Sequence, residues 1–227
     1  MSSDSIAAGT IPVPGNWHEQ ALRISSSLTL HYRQKYQRNA VMVTPEAVIQ
    51  VLTKAGADFV LMGTYGVEGY RTEPRATQDV DVLVRKKDLR KAVAALTAQY
   101  PSLTIQDAVV VTRFLDPDTG QPVIDVMKPE QPVFKMIFRN TVTVDGKYKI
   151  PNLEMALVSK FAAMTSPNRS YDKKLIDGGD FVNMVKKNLA ALDRKRLRRL
   201  AGKLYPTAAD EISEMVDNIK AGRRIEF

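Results

Sequence analysis

The sequence of 227 residues predicts an α+β fold, in which a mixed-sheet domain is followed by a helical bundle. Three observations support this prediction. Short apolar segments separated by turn residues occupy positions 59–150, and helical spacing of apolar residues continues from position 152 onward. The hydrophobic content of 44% is also enough to build a real core. We therefore expect a disordered tail at 1–17, an α/β domain at 18–151 and a helical domain at 152–227.

The predicted elements of the first half follow from caps, turns and alternation. Thr44 is expected to cap a helix that starts at Pro45 and stops at Gly56, and Asp88 to cap another that continues through Leu96. Asp145-Gly146 is a typical hairpin turn. The remaining elements predicted here are helix 19–38, strand 59–62, a glycine-bearing turn at 63–66 leading into a short helix that ends near 71, strand 79–84, strands 103–106, 108–114 and 123–127, a short helix after 132, and hairpin strands 141–144 and 148–150.

The second half is predicted to be entirely helical, with helices at about 152–165, 172–187, 192–204 and 207–221. Between Lys186 and Lys203, eight basic residues stand against one acid, so this segment alone carries a net charge of +7, out of +8 for the whole chain. Arg194, Lys195, Arg198 and Arg199 are expected to face outward. The segment is either a solvated helix face or a surface that follows the phosphates of RNA, and we favour RNA.

Composition also limits the compartment and the class of protein. The chain has no cysteine, which excludes a disulfide framework, a thiolate metal site and a cysteine nucleophile. Residues 1–17 lack the charged start and apolar run of a secretory signal, and no stretch approaches the roughly 20 apolar residues of a membrane span. We therefore expect a soluble cytoplasmic protein without membrane association, and the sequence pI of about 9.6 favours polyanionic partners.

Three aspartates in otherwise apolar strands are the candidate chemical centre. Asp79 and Asp81 are two residues apart on a strand and so point to the same face. Asp125 lies within Val123-Ile124-Asp125-Val126-Met127. If the two strands are neighbours, the three carboxylates converge, and oxygen ligands alone favour Mg²⁺ or Mn²⁺. The alternative to a metal site is that Asp79 and Asp81 lie at a solvated strand end or pair with Arg71 or Arg75.

The turn before these strands suits an anionic ligand. Gly63 and Gly66 would let the backbone approach a triphosphate, and the Thr64 hydroxyl could contact a phosphate oxygen. The alternative is an ordinary strand-to-helix turn. There is no Gly-x-x-x-x-Gly-Lys-Ser/Thr sequence, so this is not a P-loop.

In this order, the residues resemble the nucleotidyltransferase superfamily of the polymerase-beta type. The resemblance covers about residues 45–190, and rests on Val60-Leu61-Met62-Gly63-Thr64, Asp79-Val80-Asp81 and the later Asp125. The Arg-x-Thr-x-Asp-x-Asp motif at 75–81 looks most like that of the branch that includes abortive-infection and MenT-type toxins. Position 64 departs from the family pattern, in which glycine or serine is usual.

The resemblance implies an NTP substrate and two metal ions held by Asp79 and Asp81, with Asp125 as ligand of the catalytic metal. It assigns Gly63, Thr64, Arg75 and Thr77 to nucleotide binding. Lys160 would contact the triphosphate, although in a largely apolar helix it could simply extend to the surface. Asp177 and Asp180 would face the cleft, although a helix start at either would also explain the glycines between them.

The predicted function is therefore transfer of NMP from an NTP to an acceptor. The acceptor expected first is tRNA, bound through the basic 186–203 segment, and a protein side chain is expected second. By resemblance, the chain could be a toxin with an antitoxin protein as partner. The alternatives are an inactive nucleotidyltransferase fold that regulates by binding nucleotide or RNA, and a plain basic nucleic-acid-binding protein, which would not need acids in apolar strands.

Overall fold

The computed structural model describes residues 15–37 and 40–225. The helices are α1 Gly15–Tyr36, α2 Pro45–Lys54, α3 Gly63–Val67, α4 Leu89–Gln99, α5 Pro132–Ile137, α6 Leu153–Met164, α7 Tyr171–Asn188, α8 Arg194–Ala201 and α9 Ala208–Lys220. The strands are β1 Phe59–Leu61, β2 Val80–Val84, β3 Thr104–Asp107, β4 Val111–Leu115, β5 Pro122–Met127, β6 Thr141–Val144 and β7 Tyr148–Pro151. In the described part of the chain, no helix is both long and apolar enough to cross a membrane.

The strands form one mixed sheet, as predicted. Their order is β3-β4-β5-β2-β1-β7-β6. The pairs β2–β5 and β1–β7 are parallel, and the other neighbours are antiparallel. Strands β2 and β5 therefore lie side by side near the centre of the sheet, although 37 residues of chain separate Val84 from Pro122. This adjacency decides where the predicted acids lie.

Several local predictions about caps, turns and helices are confirmed. Thr44 caps α2, because its hydroxyl oxygen accepts a hydrogen bond from the Ala47 N–H at 3.2 Å. The β6–β7 turn has positive φ at both Asp145 (46°) and Gly146 (67°), as a two-residue hairpin with this twist requires. The four C-terminal helices lie at α6 to α9, close to the predicted ranges.

Two local predictions are wrong. The tail was expected to extend to residue 17, but α1 already begins at Gly15, so residues 15–17 are helical. Residues 1–14 and 38–39 lie outside the described part. Asp88 does not cap α4 with its side chain. Its carboxylate instead accepts from the Asp58 N–H at 3.1 Å and pairs with the Lys91 ammonium at 2.8 Å.

A continuous hydrophobic core joins the sheet to the C-terminal helices. Val60, Leu83 and Ile124 of the central strands are fully buried, and so are Leu157 and Phe161 of α6. Helix α6 packs against α7 and α8, and α8 packs against α9. The predicted boundary near residue 151 is thus a change from strands to helices, and the two parts share one core.

Candidate active site

The acids predicted to form a metal site meet on the two central parallel strands. Asp79 directly precedes β2, Asp81 lies on β2, and Asp125 lies on β5. The register pairs Asp81 with Asp125 as direct neighbours across the two strands. The predicted condition for a shared site, that these strands be adjacent, is therefore confirmed.

The acidic triad, Asp79, Asp81 and Asp125, is compact. One carboxylate oxygen from each residue lies within 4.8 Å of the others, and all three residues are partly buried. Burial and then repulsion from Asp79 and Asp125 raise the pKa of Asp81 well above its ordinary value. Burial likewise raises the pKa of Asp79, and burial followed by the charge of Asp79 raises the pKa of Asp125 to about 6. The arrangement is thus electrostatically costly when no cation compensates it.

Gly63 lies directly against the triad. A Cβ atom at this position would lie 1.9 Å from Asp81 Oδ2, and the residue has a φ of +58°. Both facts require glycine, because any side chain would overlap the carboxylate and strain the backbone. The preceding residue, Met62, donates its N–H to the Asp81 carbonyl at 2.8 Å, which fixes the turn to the strand.

Gly66 is required for a different reason. A Cβ atom there would lie 2.4 Å from the Leu61 carbonyl oxygen, so glycine lets α3 fold back closely onto the strand before it. The side chain of Thr64, between these glycines, is buried, with a relative exposure of 5%.

A basic neighbour of the triad, Arg113, was missed at the level of the sequence. Arg113 lies across from Asp125 in the β4–β5 pair, and its Nε is 3.5 Å from Asp125 Oδ2. The other oxygen of Asp125, Oδ1, is buried and has no hydrogen-bond partner among the described residues. The signal for Arg113 was available in principle, because an antiparallel hairpin through the 116–120 turn places it opposite Asp125.

Two further cations come from the segment around the start of α7. The charges of Arg169 and Lys173 act on the triad: both lower the pKa of Asp79 against the larger effect of burial, and Lys173 does the same at Asp125. Both side chains are exposed. They were not predicted, because only tertiary packing brings this segment to the sheet.

Lys160 is buried and does not extend to the surface. Its ammonium lies 2.8 Å from Asp177 Oδ1 and 2.7 Å from Asp180 Oδ2, so it joins α6 to α7. Its charge also lowers the pKa of Asp81 against the larger effects of burial and repulsion. Asp177 and Asp180 both lie in the interior of α7, so the explanation by a helix start is wrong for both.

Asp180 holds three cations at once. Besides Lys160, it pairs with Arg71 Nε at 3.2 Å and with Arg75 through two hydrogen bonds of 3.2 and 3.0 Å. Burial alone would raise the pKa of Asp180, but Lys160 and Arg75 outweigh it and lower the pKa to about 2. The guanidinium of Arg75, predicted to bind nucleotide, is thus engaged by Asp180.

Thr77 is the remaining residue assigned to nucleotide binding. Its backbone N–H donates to Thr29 Oγ1 of α1 at 3.0 Å, and its side chain is partly exposed. This contact anchors the segment that leads into Asp79.

The basic 186–203 segment is only partly free. Arg194, Arg196 and Arg198 pair with acids, respectively Asp217 at 2.6 Å, Glu154 at 4.0 Å and Asp210 at 2.5 Å. Lys187 lies over the Trp17 ring. Exposed cations without an ion pair among the described residues are Lys186, Lys195, Arg199 and Lys203. The outward orientation predicted for Arg194, Lys195, Arg198 and Arg199 is confirmed. Half of the segment's basic residues, however, pair with acids or contact a ring of the protein itself.

The residues of the triad suit a hard divalent cation. The donors are carboxylates alone, they converge within 4.8 Å, and Asp125 Oδ1 is unpartnered. The raised pKa values indicate a cluster of negative charge that a bound cation would compensate. Asp79, Asp81 and Asp125 would hold Mg²⁺ or Mn²⁺.

No protein-family model and no curated protein matches this sequence. Among solved structures, the chain is similar to an antigenic nucleotidyltransferase-like protein from Paracoccidioides brasiliensis, at 18% identity over 91% of this chain and 95% of that one, with a TM-score of 0.45. It is similar to JHP933 from Helicobacter pylori, at 18% identity over 89% and 80% of the chains, with a TM-score of 0.44. It is also similar to the antibiotic-resistance factor ANT(2'')-Ia, at 10% identity over 77% and 90% of the chains, with a TM-score of 0.43.

Proposed function

We propose that this protein is a metal-dependent nucleotidyltransferase that moves NMP from an NTP to an acceptor hydroxyl. The observation that carries the proposal is the acidic triad, three carboxylates brought within 4.8 Å by two adjacent parallel strands. A plain nucleic-acid-binding protein has no use for converging acids, because they repel phosphate. The sequence resemblance to the polymerase-beta type supports the same reaction class.

Bound metal ions would supply the activation of an attacking oxygen and the stabilisation of a pyrophosphate leaving group. The chain's own residues would do the rest. Asp125 would hold the catalytic metal and help to activate the acceptor hydroxyl, as the resemblance implies. Gly63 would leave space beside Asp81, and Thr64 would face the phosphates as the resemblance implies.

Cations of the helical half are proposed to neutralise the triphosphate. Arg169 and Lys173 are exposed, and their charges act on the triad. Lys160 would contribute from its buried position. Because Lys160 is paired with Asp177 and Asp180, a triphosphate would share this lysine with the two carboxylates.

The acceptor we propose first is RNA, with tRNA as the leading candidate. The exposed cations Lys186, Lys195, Arg199 and Lys203 support this choice, since they have no ion pair among the described residues and would bind phosphates in a salt-dependent manner. A protein side chain is the second choice.

Label transfer tests the proposal. Full-length protein is incubated with Mg²⁺ or Mn²⁺ and each α-labelled NTP, with total tRNA or a protein extract as acceptor. We expect label on RNA with the wild type, none with Asp81→Asn, and wild-type transfer with Asp118→Asn, an exposed acid in the 116–120 turn. Metal-dependent NTP binding without transfer to any acceptor would instead favour the inactive regulator.

The resemblance to toxin nucleotidyltransferases supports a toxin role with an antitoxin as partner. Expression of the wild type should then stop growth of the host, whereas Asp81→Asn should be tolerated at equal protein level. Equal growth of both strains, with transfer intact in vitro, would remove the toxin role and leave the enzyme.

A further inference from the structure

Helix α1 presents an exposed aromatic surface at its C-terminal end. Tyr32 and Tyr36, one helical turn apart, are 54% and 63% exposed. Their ring centroids are 5.0 Å apart, and the Lys35 ammonium lies 5.3 Å from the Tyr36 ring. We call Tyr32, Lys35 and Tyr36 the aromatic platform. Adjacent large rings that the described residues leave exposed indicate a binding surface.

The charge around the platform suits a polyanion. Residues 20–36 contain no aspartate or glutamate, and Lys35 places a cation beside the Tyr36 ring. Tyrosine rings with a neighbouring cation suit unpaired bases, which stack on the rings while the cation neutralises a phosphate.

A buried residue on the same helical turns contacts the segment that leads into the acidic triad. Arg33 is buried and donates to the Val41 carbonyl at 3.3 Å and to the Gln78 carbonyl, next to Asp79. The chain after α1 continues this contact, because the Val41 N–H donates to Asp116 Oδ2 at 2.7 Å. Asp116 begins the turn that leads into the strand of Asp125. The platform is thus fixed to both segments that carry the acids.

We propose that the aromatic platform binds an unpaired stretch of the RNA acceptor, with bases stacked on Tyr32 and Tyr36 and a phosphate near Lys35. This inference rests on the proposed function for the reaction that the bound strand undergoes. It gives RNA a second contact in addition to the partly neutralised basic 186–203 segment, and it accounts for two large exposed rings on the helix that contacts the segment before Asp79. It also specifies single-stranded rather than duplex RNA, since only unpaired bases offer their faces.

The test measures binding of the full chain to a short, fluorescently labelled single-stranded RNA of mixed sequence, and to the same RNA annealed to its complement. Tyr32→Ala/Tyr36→Ala should weaken single-strand binding by roughly 10- to 100-fold. Tyr32→Phe/Tyr36→Phe should bind like the wild type, because the rings remain. Lys35→Met should reduce the slope of log affinity against log salt by roughly 0.7.

The matched control lies on the same helix. Ile24 and Leu28 continue the exposed row toward the N-terminus, at 46% and 45% exposure. Ile24→Ala/Leu28→Ala should leave RNA binding unchanged. The proposal would be overturned if Tyr32→Ala/Tyr36→Ala bound RNA with the affinity of the wild type. It would also be overturned if Tyr32→Phe/Tyr36→Phe lost as much affinity as the alanine variant. A third outcome would also overturn the proposal: the wild type self-associates, and the variant with all four alanine substitutions is monomeric but binds RNA like the wild type. In that case the surface would bind a second copy of this chain.

Metal-dependent NTP binding is measured in parallel to separate the two proposals. The tyrosine variants should keep it and Asp81→Asn should lose it. If the wild type binds no NTP, the proposed reaction fails, while the RNA measurements still decide whether the platform is a single-strand site.

Discussion

At the scale of single residues, the triad sets a pH dependence that metal should reverse. An acid with a higher pKa in the folded than in the unfolded state binds more protons when folded, so its contribution to the free energy of unfolding falls as pH rises between the two values. For Asp125 these values are 3.8 and about 6. Without metal, the wild type should therefore lose about 2 kcal/mol relative to Asp125→Asn between pH 4 and pH 6.

Urea unfolding of both proteins across this pH range, with EDTA and then with saturating Mg²⁺, checks the prediction. Metal binds the ionised carboxylates, so with Mg²⁺ the wild type should gain stability relative to the variant as pH rises. Parallel curves for the two proteins under both conditions would show that Asp125 neither carries the raised pKa nor binds the metal.

Gly63 gives the second prediction at this scale. Gly63→Ala should abolish nucleotidyl transfer and Mg²⁺-induced stabilisation, because the new Cβ would lie 1.9 Å from Asp81 Oδ2. Gly56→Ala is the matched control: Gly56 has a similar φ of +64° with no atom within 4 Å of the added Cβ. Both variants should lose about 1–2 kcal/mol from backbone strain. Gly56→Ala should keep nucleotidyl-transfer activity, and Gly63→Ala should lose it. Equal activities of the two variants would show that Gly63 is not part of the active site.

At the scale of elements, the link between α6 and α7 depends on Lys160. Lys160→Met should reduce the free energy of unfolding by about 1–3 kcal/mol, because Asp177 then keeps only Arg169 and Asp180 only Arg71 and Arg75 as partners. Lys174→Met, on the neighbouring helix but without an ion pair among the residues described, should have little effect. Urea unfolding at pH 7 compares the two, and equal losses would mean that the buried pairs do not stabilise the helix contact.

The elements also show how far the sequence alone leads. Alternation of acids and apolar residues predicted Asp79, Asp81 and Asp125, because a period of two fixes the face of a strand without knowledge of its neighbours. The side-chain cap predicted at Asp88 is wrong, because its carboxylate accepts a hydrogen bond from the N–H of Asp58, which precedes β1 and is 30 residues away in sequence. Arg169 and Lys173 act on the triad, and Asp180 pairs with three cations, only because distant segments pack together. No local sequence pattern predicts such contacts.

At the scale of the whole molecule, α7 holds the segment that leads into the triad. The Lys187 ammonium donates to the carbonyls of Gly69 and Arg71, and Asn188 Nδ2 donates to the Tyr70 carbonyl at 2.8 Å. Nearby, the Thr72 N–H donates to Asn183 Oδ1 at 2.8 Å. The helical half therefore supports the geometry of the sheet half, and the two should not unfold independently.

The single tryptophan allows this to be measured. Trp17 lies on α1, and the ammonium of Lys187 on α7 is 4.7 Å from its ring centroid. Trp17 fluorescence and far-UV circular dichroism should therefore give coincident unfolding transitions. Asn188→Ala should lower the free energy of unfolding by about 1 kcal/mol with both probes, because one hydrogen bond joins the halves at that point. If the halves were separate domains, the fluorescence and dichroism midpoints would differ, and the substitution would move only one of them. Coincident transitions that shift together would mean that a loss of stability in the C-terminal helices also disorders β2, which carries Asp81 and directly follows Asp79.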